Sequence, residues 1–275
     1  FGSRLEDRIT KTFASESCGV SGNRAPKSSS FMFRPCPKWQ AILKVPIAFL
    51  LLSGASEFEA AEEAPRSTVT AEAVERYQAS IRARMAGSDA LPDKAEDEWT
   101  SSDALRKDLI GLVAGISENL TVLEVGSYFG YTTRVLSHLF KRVIALDAVP
   151  ELLQANRDYN YDRDNILYIR FHTTDHDWGI FSLNTIQVVF LDASHDFETV
   201  MQDIDNCLRI PTVSLIIFDD YGAEEGVRRA VQQFVSAGRL RPVALLGEGA
   251  EGPWRLRDGR EVKEREAIAC EVLRR

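Results

Sequence analysis

Two short runs of the chain carry a concentration of acid–base groups. Phe190-Leu-Asp-Ala-Ser-His-Asp-Phe197 places Asp192 three residues before His195, and Ile217-Phe-Asp-Asp-Tyr-Gly222 sets Asp219 beside Asp220. Each run opens apolar and ends in acid, the pattern of a buried parallel strand that delivers polar groups at its carboxyl end. If the two strands are neighbours, three carboxylates meet at one sheet edge. They repel there, and a hard divalent cation with oxygen ligands, Mg²⁺ or similar, relieves the repulsion. The imidazole of His195 has an ordinary pKa of about 6.5, so it can be neutral and accept a proton near physiological pH. The plainer alternatives are a strand-end Asp that caps the next helix and a solvated Asp219-Asp220 turn.

A third run, Val122-Leu-Glu-Val-Gly-Ser-Tyr-Phe-Gly-Tyr-Thr-Thr133, holds Gly126 and Gly130 with three residues between them. The middle glycine of a dinucleotide-binding G-x-G-x-x-G is missing, and no G-x-x-x-x-G-K-[ST] occurs, which excludes a P-loop. Glycines at such a turn let a backbone approach a ligand, and the helix that follows offers N–H donors at its N-terminus.

These runs belong to a repeating pattern from about residue 100 onward. Ser102 followed by Leu105, Leu109, Leu112, Val113 and Ile116 predicts a capped amphipathic helix. Apolar runs then recur over 121–125, 143–147, 166–171, 186–192 and 213–219, with helical segments over 132–140, 150–159, 197–208 and 226–237. Two further strands, 242–246 and 267–273, are joined by a Gly-rich loop and an Asp258-Gly259 turn that suggest an antiparallel hairpin. The expected fold is α/β, a doubly wound, seven-stranded, mostly parallel sheet. Ligands of such sheets bind beyond the carboxyl ends of the strands.

The turn E-x-G-x-Y-x-G-Y-[ST], here Glu124 to Thr132, resembles the first motif of class I S-adenosylmethionine-dependent methyltransferases with a Rossmann-like fold, in the version of catechol O-methyltransferase. The resemblance implies that Gly126, Ser127, Tyr128, Gly130 and Thr132 line the methionine moiety and that Glu124 answers its ammonium group. It implies that Asp147 takes the ribose hydroxyls and that Asp175, in the loop after the third strand, meets adenine. LDASHDFETVMQDI, IIFDDYG and GVRRAVQQF are similar to the macrocin O-methyltransferase group of Mg-dependent enzymes. That likeness implies metal ligands Asp192, Asp219 and Asp220, and His195 as general base. Residues 210–213 depart from the pattern, with Ile-Pro-Thr-Val where two glycines are usual. The implied activity is S-adenosyl-L-methionine-dependent, Mg²⁺-assisted methyl transfer to a small-molecule hydroxyl, a phenol or a sugar. A non-catalytic binding module of the same fold and a metal-independent methyltransferase are the competing readings. Acceptor choice is expected to rest on a cap helix, Trp178 and the loop 247–254.

The N-terminal third is built differently. Residues 1–56 read as a leader: a stretch poor in acids, then the apolar run 45–52 and small residues 53–56, the order of a signal peptide. That run is far short of the roughly 20 residues of a membrane span, so no stable span is expected. Secretory targeting or another membrane-bounded compartment follows, with the cytoplasm as alternative. Residues 57–99 are acidic, with one helix expected behind Thr70 from Val74, Tyr77, Ile81 and Met85 and a solvated linker over 86–97; residues 100–275 form the methyltransferase-like domain. Over the 275-residue chain 33 basic side chains face 41 acidic ones, a net charge of −8 that makes nucleic acid an unsuitable partner. Four scattered cysteines build neither a disulfide framework nor a CxxC metal site.

Overall fold

In a computed structural model of the chain, residues 91–94, 97, 99–183 and 185–274 are described. The chain divides into two compact units, Phe1–Pro46 and Ile47–Arg275, and every described residue belongs to the second. The expected leader, the helix behind Thr70 and most of the acidic segment lie outside the described residues.

Among the described residues five α-helices and nine strands follow in order: α1 (Asp103–Val113), β1 (Thr121–Val125), α2 (Tyr131–Leu139), β2 (Arg142–Asp147), α3 (Pro150–Tyr159), β3 (Ile166–Arg170), β4 (Val188–Leu191), α4 (Phe197–Arg209), β5 (Leu215–Phe218), α5 (Glu225–Ser236), β6 (Leu240–Leu246), β7 (Trp254–Arg255), β8 (Glu261–Val262) and β9 (Ala267–Val272). Ser102 caps α1 as its spacing predicts, accepting from the Leu105 N–H, and Asp196 caps α4 by accepting from the Thr199 N–H. Pro150 opens α3 where its missing N–H costs nothing.

Seven strands form one sheet in the order β3-β2-β1-β4-β5-β9-β6. Neighbours among the first five are parallel, and β9 runs antiparallel between β5 and β6. This is the Rossmann-like methyltransferase fold expected from the sequence. The Asp258-Gly259 turn does close a hairpin, but a separate one: it joins β7 to β8 outside the main sheet.

The central strands are apolar at nearly every position because both faces are covered. Leu123 and Val125 of β1 join Val189, Leu191, Ile216 and Phe218 in a core beneath α4 and α5. Val122 packs with Val188, Phe190, Leu215 and Ile217 against α1 and α2. Glu124 is the polar exception, completely buried within β1. On the α4 side Asp203 is also buried, and burial pushes its carboxyl up to about 7. The order of winding reverses between β1 and β4, so the carboxyl ends of these two strands flank the crevice where such sheets bind ligands. Among the described residues no helix is long and apolar enough to cross a membrane.

Candidate functional site

The turn leaving β1 is held by its own architecture. Gly126 has φ +86°, and a Cβ there would collide with the backbone carbonyl of Asp192 at the end of β4. Gly130, with φ +89°, starts α2 against the side chain of Asn156. Both glycines are therefore demanded by close packing as well as by any ligand. Among the described residues the non-glycine residues in the left-handed region are Tyr128 (φ 45°) and Asp220 (φ 55°), and both stand at this edge of the sheet.

Asp147, at the end of β2, is committed to the turn. One carboxylate oxygen accepts the Tyr128 N–H at 3.0 Å and the Ser127 N–H at 3.3 Å, and the other accepts from Val149 N–H at 2.9 Å. Burial raises its pKa, and these backbone donors oppose the rise. Glu124 accepts from the Thr133 hydroxyl at 2.6 Å, while its other oxygen and the Ser127 hydroxyl are buried with no hydrogen-bond partner. Burial pushes the Glu124 carboxyl well above its ordinary value. Thr132 shares a 3.0 Å hydrogen bond with Ser101. The Tyr128 ring stands 6.4 Å from that of Trp99. Asp175 is on an exposed loop beside His172 and accepts from the Thr174 hydroxyl.

Across the crevice, ligand atoms of Asp192, His195 and Asp220 all lie within 4.8 Å of one another. His195 Nε2 is 3.1 Å from Asp220 Oδ2. Asp219 stands outside this trio: the left-handed backbone at Asp220 turns the adjacent side chains apart, and Asp219 Oδ1 accepts the Asp220 N–H at 2.8 Å. Of the expected ligands Asp192, Asp219 and Asp220, the structure brings Asp192 and Asp220 together with His195 and leaves Asp219 apart from them.

A group unforeseen in the sequence joins them. Lys94 Nζ is 2.8 Å from Asp220 Oδ1 and 3.3 Å from Glu266 Oε1, with only 8% of its side chain exposed. The solvated linker expected over 86–97 does not hold at this position. Glu266 is fully buried and also accepts from the N–H and hydroxyl of Ser102 and from the Glu248 N–H.

Charge sorts the cluster. Burial raises Asp219 to about 8 and, with Asp219 and Asp220 as neighbours, pushes Asp192 well above the carboxylate range. Against the cost of burial, Lys94 and His195 hold Asp220 well below it. Burial alone would lower Lys94, but Asp219, Asp220 and Glu266 raise it well above the ordinary lysine value. The hydrogen bond to Asp220 raises His195. Asp220 is therefore the ionised centre of the site.

Residues 123–221 match the family described as methyltransferase domain. The match spans β1 to the turn after β5 and so contains the glycine turn and the acidic trio, while Lys94 and Glu266 fall outside it. No curated protein matches the chain. Solved structures similar to it include an rRNA methylase from Streptococcus thermophilus (15% identity, 68% of this chain and 100% of that one, TM-score 0.43). Fibrillarin of Aeropyrum pernix with natively bound S-adenosyl-L-methionine is 14% identical over 56% of this chain and 67% of its own, at TM-score 0.40. Precorrin 8w decarboxylase of Methanobacterium thermoautotrophicum is 17% identical over 62% and 90%, at TM-score 0.42.

Trp178, expected to help choose an acceptor, is instead a core residue packed on Phe171 and Phe181, its indole N–H given to the Thr173 carbonyl. Trp254 of the loop 247–254 does lie near the cluster, with Lys94 Nζ 6.0 Å from its ring centre.

Proposed function

We propose that the chain is an S-adenosylmethionine-dependent methyltransferase acting on a small-molecule hydroxyl, with a divalent cation such as Mg²⁺ assisting. The observation that carries this reading is the apposition at Gly126: the glycine turn rests on the backbone of Asp192, so a donor-binding turn and an acid–base trio share one crevice. The methyltransferase-domain match over both elements supports it.

The residues suit the two absent groups. The unpartnered oxygen of Glu124 and hydroxyl of Ser127 are buried polar atoms that a methionine ammonium and carboxylate would satisfy. The carboxylates of Asp192 and Asp220, within reach of one another, suit a hard divalent ion such as Mg²⁺ or Mn²⁺, with the imidazole of His195 beside it as the base. When bound, such an ion lowers the pKa of an acceptor hydroxyl.

The chain's own groups do the rest. Glu124, Ser127 and the turn from Gly126 to Thr132 hold the methionine end, and Asp147 fixes the turn while its remaining lone pairs reach for ribose. Asp175 is the polar group on the loop assigned to adenine. Asp192 and Asp220 orient the acceptor. Asp220 also holds His195 by Nε2, which leaves Nδ1 as the nitrogen that takes the hydroxyl proton while the oxygen attacks the methyl group in line with its breaking bond to the sulfonium sulfur, leaving S-adenosylhomocysteine as the neutral thioether. Metal-independent transfer is the second reading, favoured by the ammonium of Lys94 already seated on Asp220.

Incubation with methyl-labelled S-adenosylmethionine and a panel of phenols and glycosides, with Mg²⁺ or with EDTA, separates these readings. Labelled product with Mg²⁺ alone supports the first, and equal product in EDTA after metal stripping supports the second. Label in no acceptor, with the cofactor bound, leaves a binding module. In calorimetry Asp147→Ala is expected to weaken cofactor binding about tenfold or more, through the lost ribose contact and the loosened turn. Wild-type affinity in that variant would remove Asp147 from the site.

A further inference from the structure

We infer that Lys94 is a built-in competitor for the cation: its ammonium and a divalent ion exclude one another at Asp220, so that metal binding lifts Lys94 off the cluster. The inference rests on the cation-assisted reading above and adds to it a residue from outside the matched family segment.

The geometry is specific. Lys94 Nζ lies 2.8 Å from the same carboxylate that, through its other oxygen, faces His195 at 3.1 Å. Both oxygens of Asp220 are thus engaged by nitrogen groups, and with His195 kept on one of them as the base, a metal ion drawing on Asp192 and Asp220 must take the oxygen that Lys94 holds or sit beside its positive charge. Like charges at that separation in a shielded site repel strongly, whereas exposed pairs scarcely do. Lys94 is shielded, and the carboxylates around it explain why a buried ammonium is tolerated at all. Its second partner gives it somewhere to go. Glu266 is anchored by Ser102 and Glu248 and is absent from the trio, so an ammonium released by Asp220 still has a fixed counter-charge at 3.3 Å.

The arrangement makes a prediction opposite in sign to that of a lysine that merely orients its acid. If Lys94 served only to aim Asp220 at a metal, removing it would weaken metal binding. If it competes, removing its charge tightens binding.

Mn²⁺ titrated calorimetrically into the full chain is the direct test. Lys94→Gln, which keeps a hydrogen-bonding side chain and loses the charge, is expected to bind Mn²⁺ about tenfold more tightly than wild type. Lys94→Arg, which keeps the charge, is expected to match wild type. Affinity in Lys94→Gln equal to or below that of wild type overturns the competition while leaving the cation site standing. Mn²⁺ binding by neither protein overturns the cation reading and this inference together.

Discussion

Alanine at Asp192 is expected to remove methyl transfer almost entirely, by about 10³-fold or more in kcat, while S-adenosylmethionine still binds. The expectation has two sources in the structure. On the proposed mechanism Asp192 is one of the two carboxylates that bring a cation and an acceptor together, and its own backbone makes the Gly126 contact. That contact is made by the Asp192 backbone, which alanine keeps, so the turn and the cofactor site are preserved. Burial and like charge hold the Asp192 carboxyl well above its ordinary range, so removing it relieves repulsion in the folded chain. A thermal melt should show Asp192→Ala as stable as wild type or more so. Turnover within tenfold of wild type would take Asp192 out of the mechanism. A large loss of melting temperature with no loss of cofactor affinity would contradict the electrostatic account.

Alanine at His195 is expected to lower kcat by about 10² to 10⁴, the ordinary worth of a positioned general base, again with cofactor affinity kept. The pH dependence is the sharper test. A cation nearby would push the imidazole below its usual pKa of about 6.5. Facing Asp220 without one, His195 is instead raised by the hydrogen bond it donates to that carboxylate. Stability contributed by a raised histidine is fully present below its unfolded pKa and is lost as pH rises through the higher folded value. In NMR titration of the metal-free protein the His195 ring should therefore titrate above 6.5, and Asp220→Asn should bring it down. A ring that titrates identically in both proteins would mean that the 3.1 Å contact is not an ion pair in solution.

Elements whose signal is local were legible in the sequence. Ser102 three residues ahead of Leu105 announced a cap, and the glycine turn announced a close approach, because both depend on neighbours within a few residues. The parallel strands β1, β2, β4 and β5 were readable as apolar runs since they are covered on both faces, and β3 was readable by its apolar content although it lies at the edge and is only half covered. What escaped was long-range or depended on a backbone angle. Lys94 and Asp220 are 126 positions apart, and nothing in an acidic, Pro-containing stretch around residue 94 distinguishes a buried ammonium from a solvated one. Glu266 lies just before β9, where an acid beside an apolar run reads equally well as an exposed strand end. Asp219 was counted with its neighbour because adjacent carboxylates are indistinguishable until φ at Asp220 is known to be positive. Trp178 was misjudged because an aromatic after a polar loop suits a cavity lip as well as a core plug, and the deciding partners, Phe171 and Phe181, flank it on both sides.

The position of β1 between β2 and β4 has a consequence for how the molecule breathes. Every residue of β1 from Val122 to Val125 is paired on both sides, and the strands it pairs with end in Asp147 and lead into Asp192. Deuterium can reach these central amides only when the sheet itself comes apart, so β1 and the strand ends beside it are expected to exchange as one cooperative unit, the slowest among the described residues. Lys94 and Ser101 are tied to that unit by side-chain bonds to Asp220, Glu266 and Thr132, with Leu91 packed on the core nearby. They can open and reclose many times while β1 and β4 stay shut. One wall of the crevice is therefore as durable as the whole fold, and the other is renewed on the timescale of a few side-chain bonds.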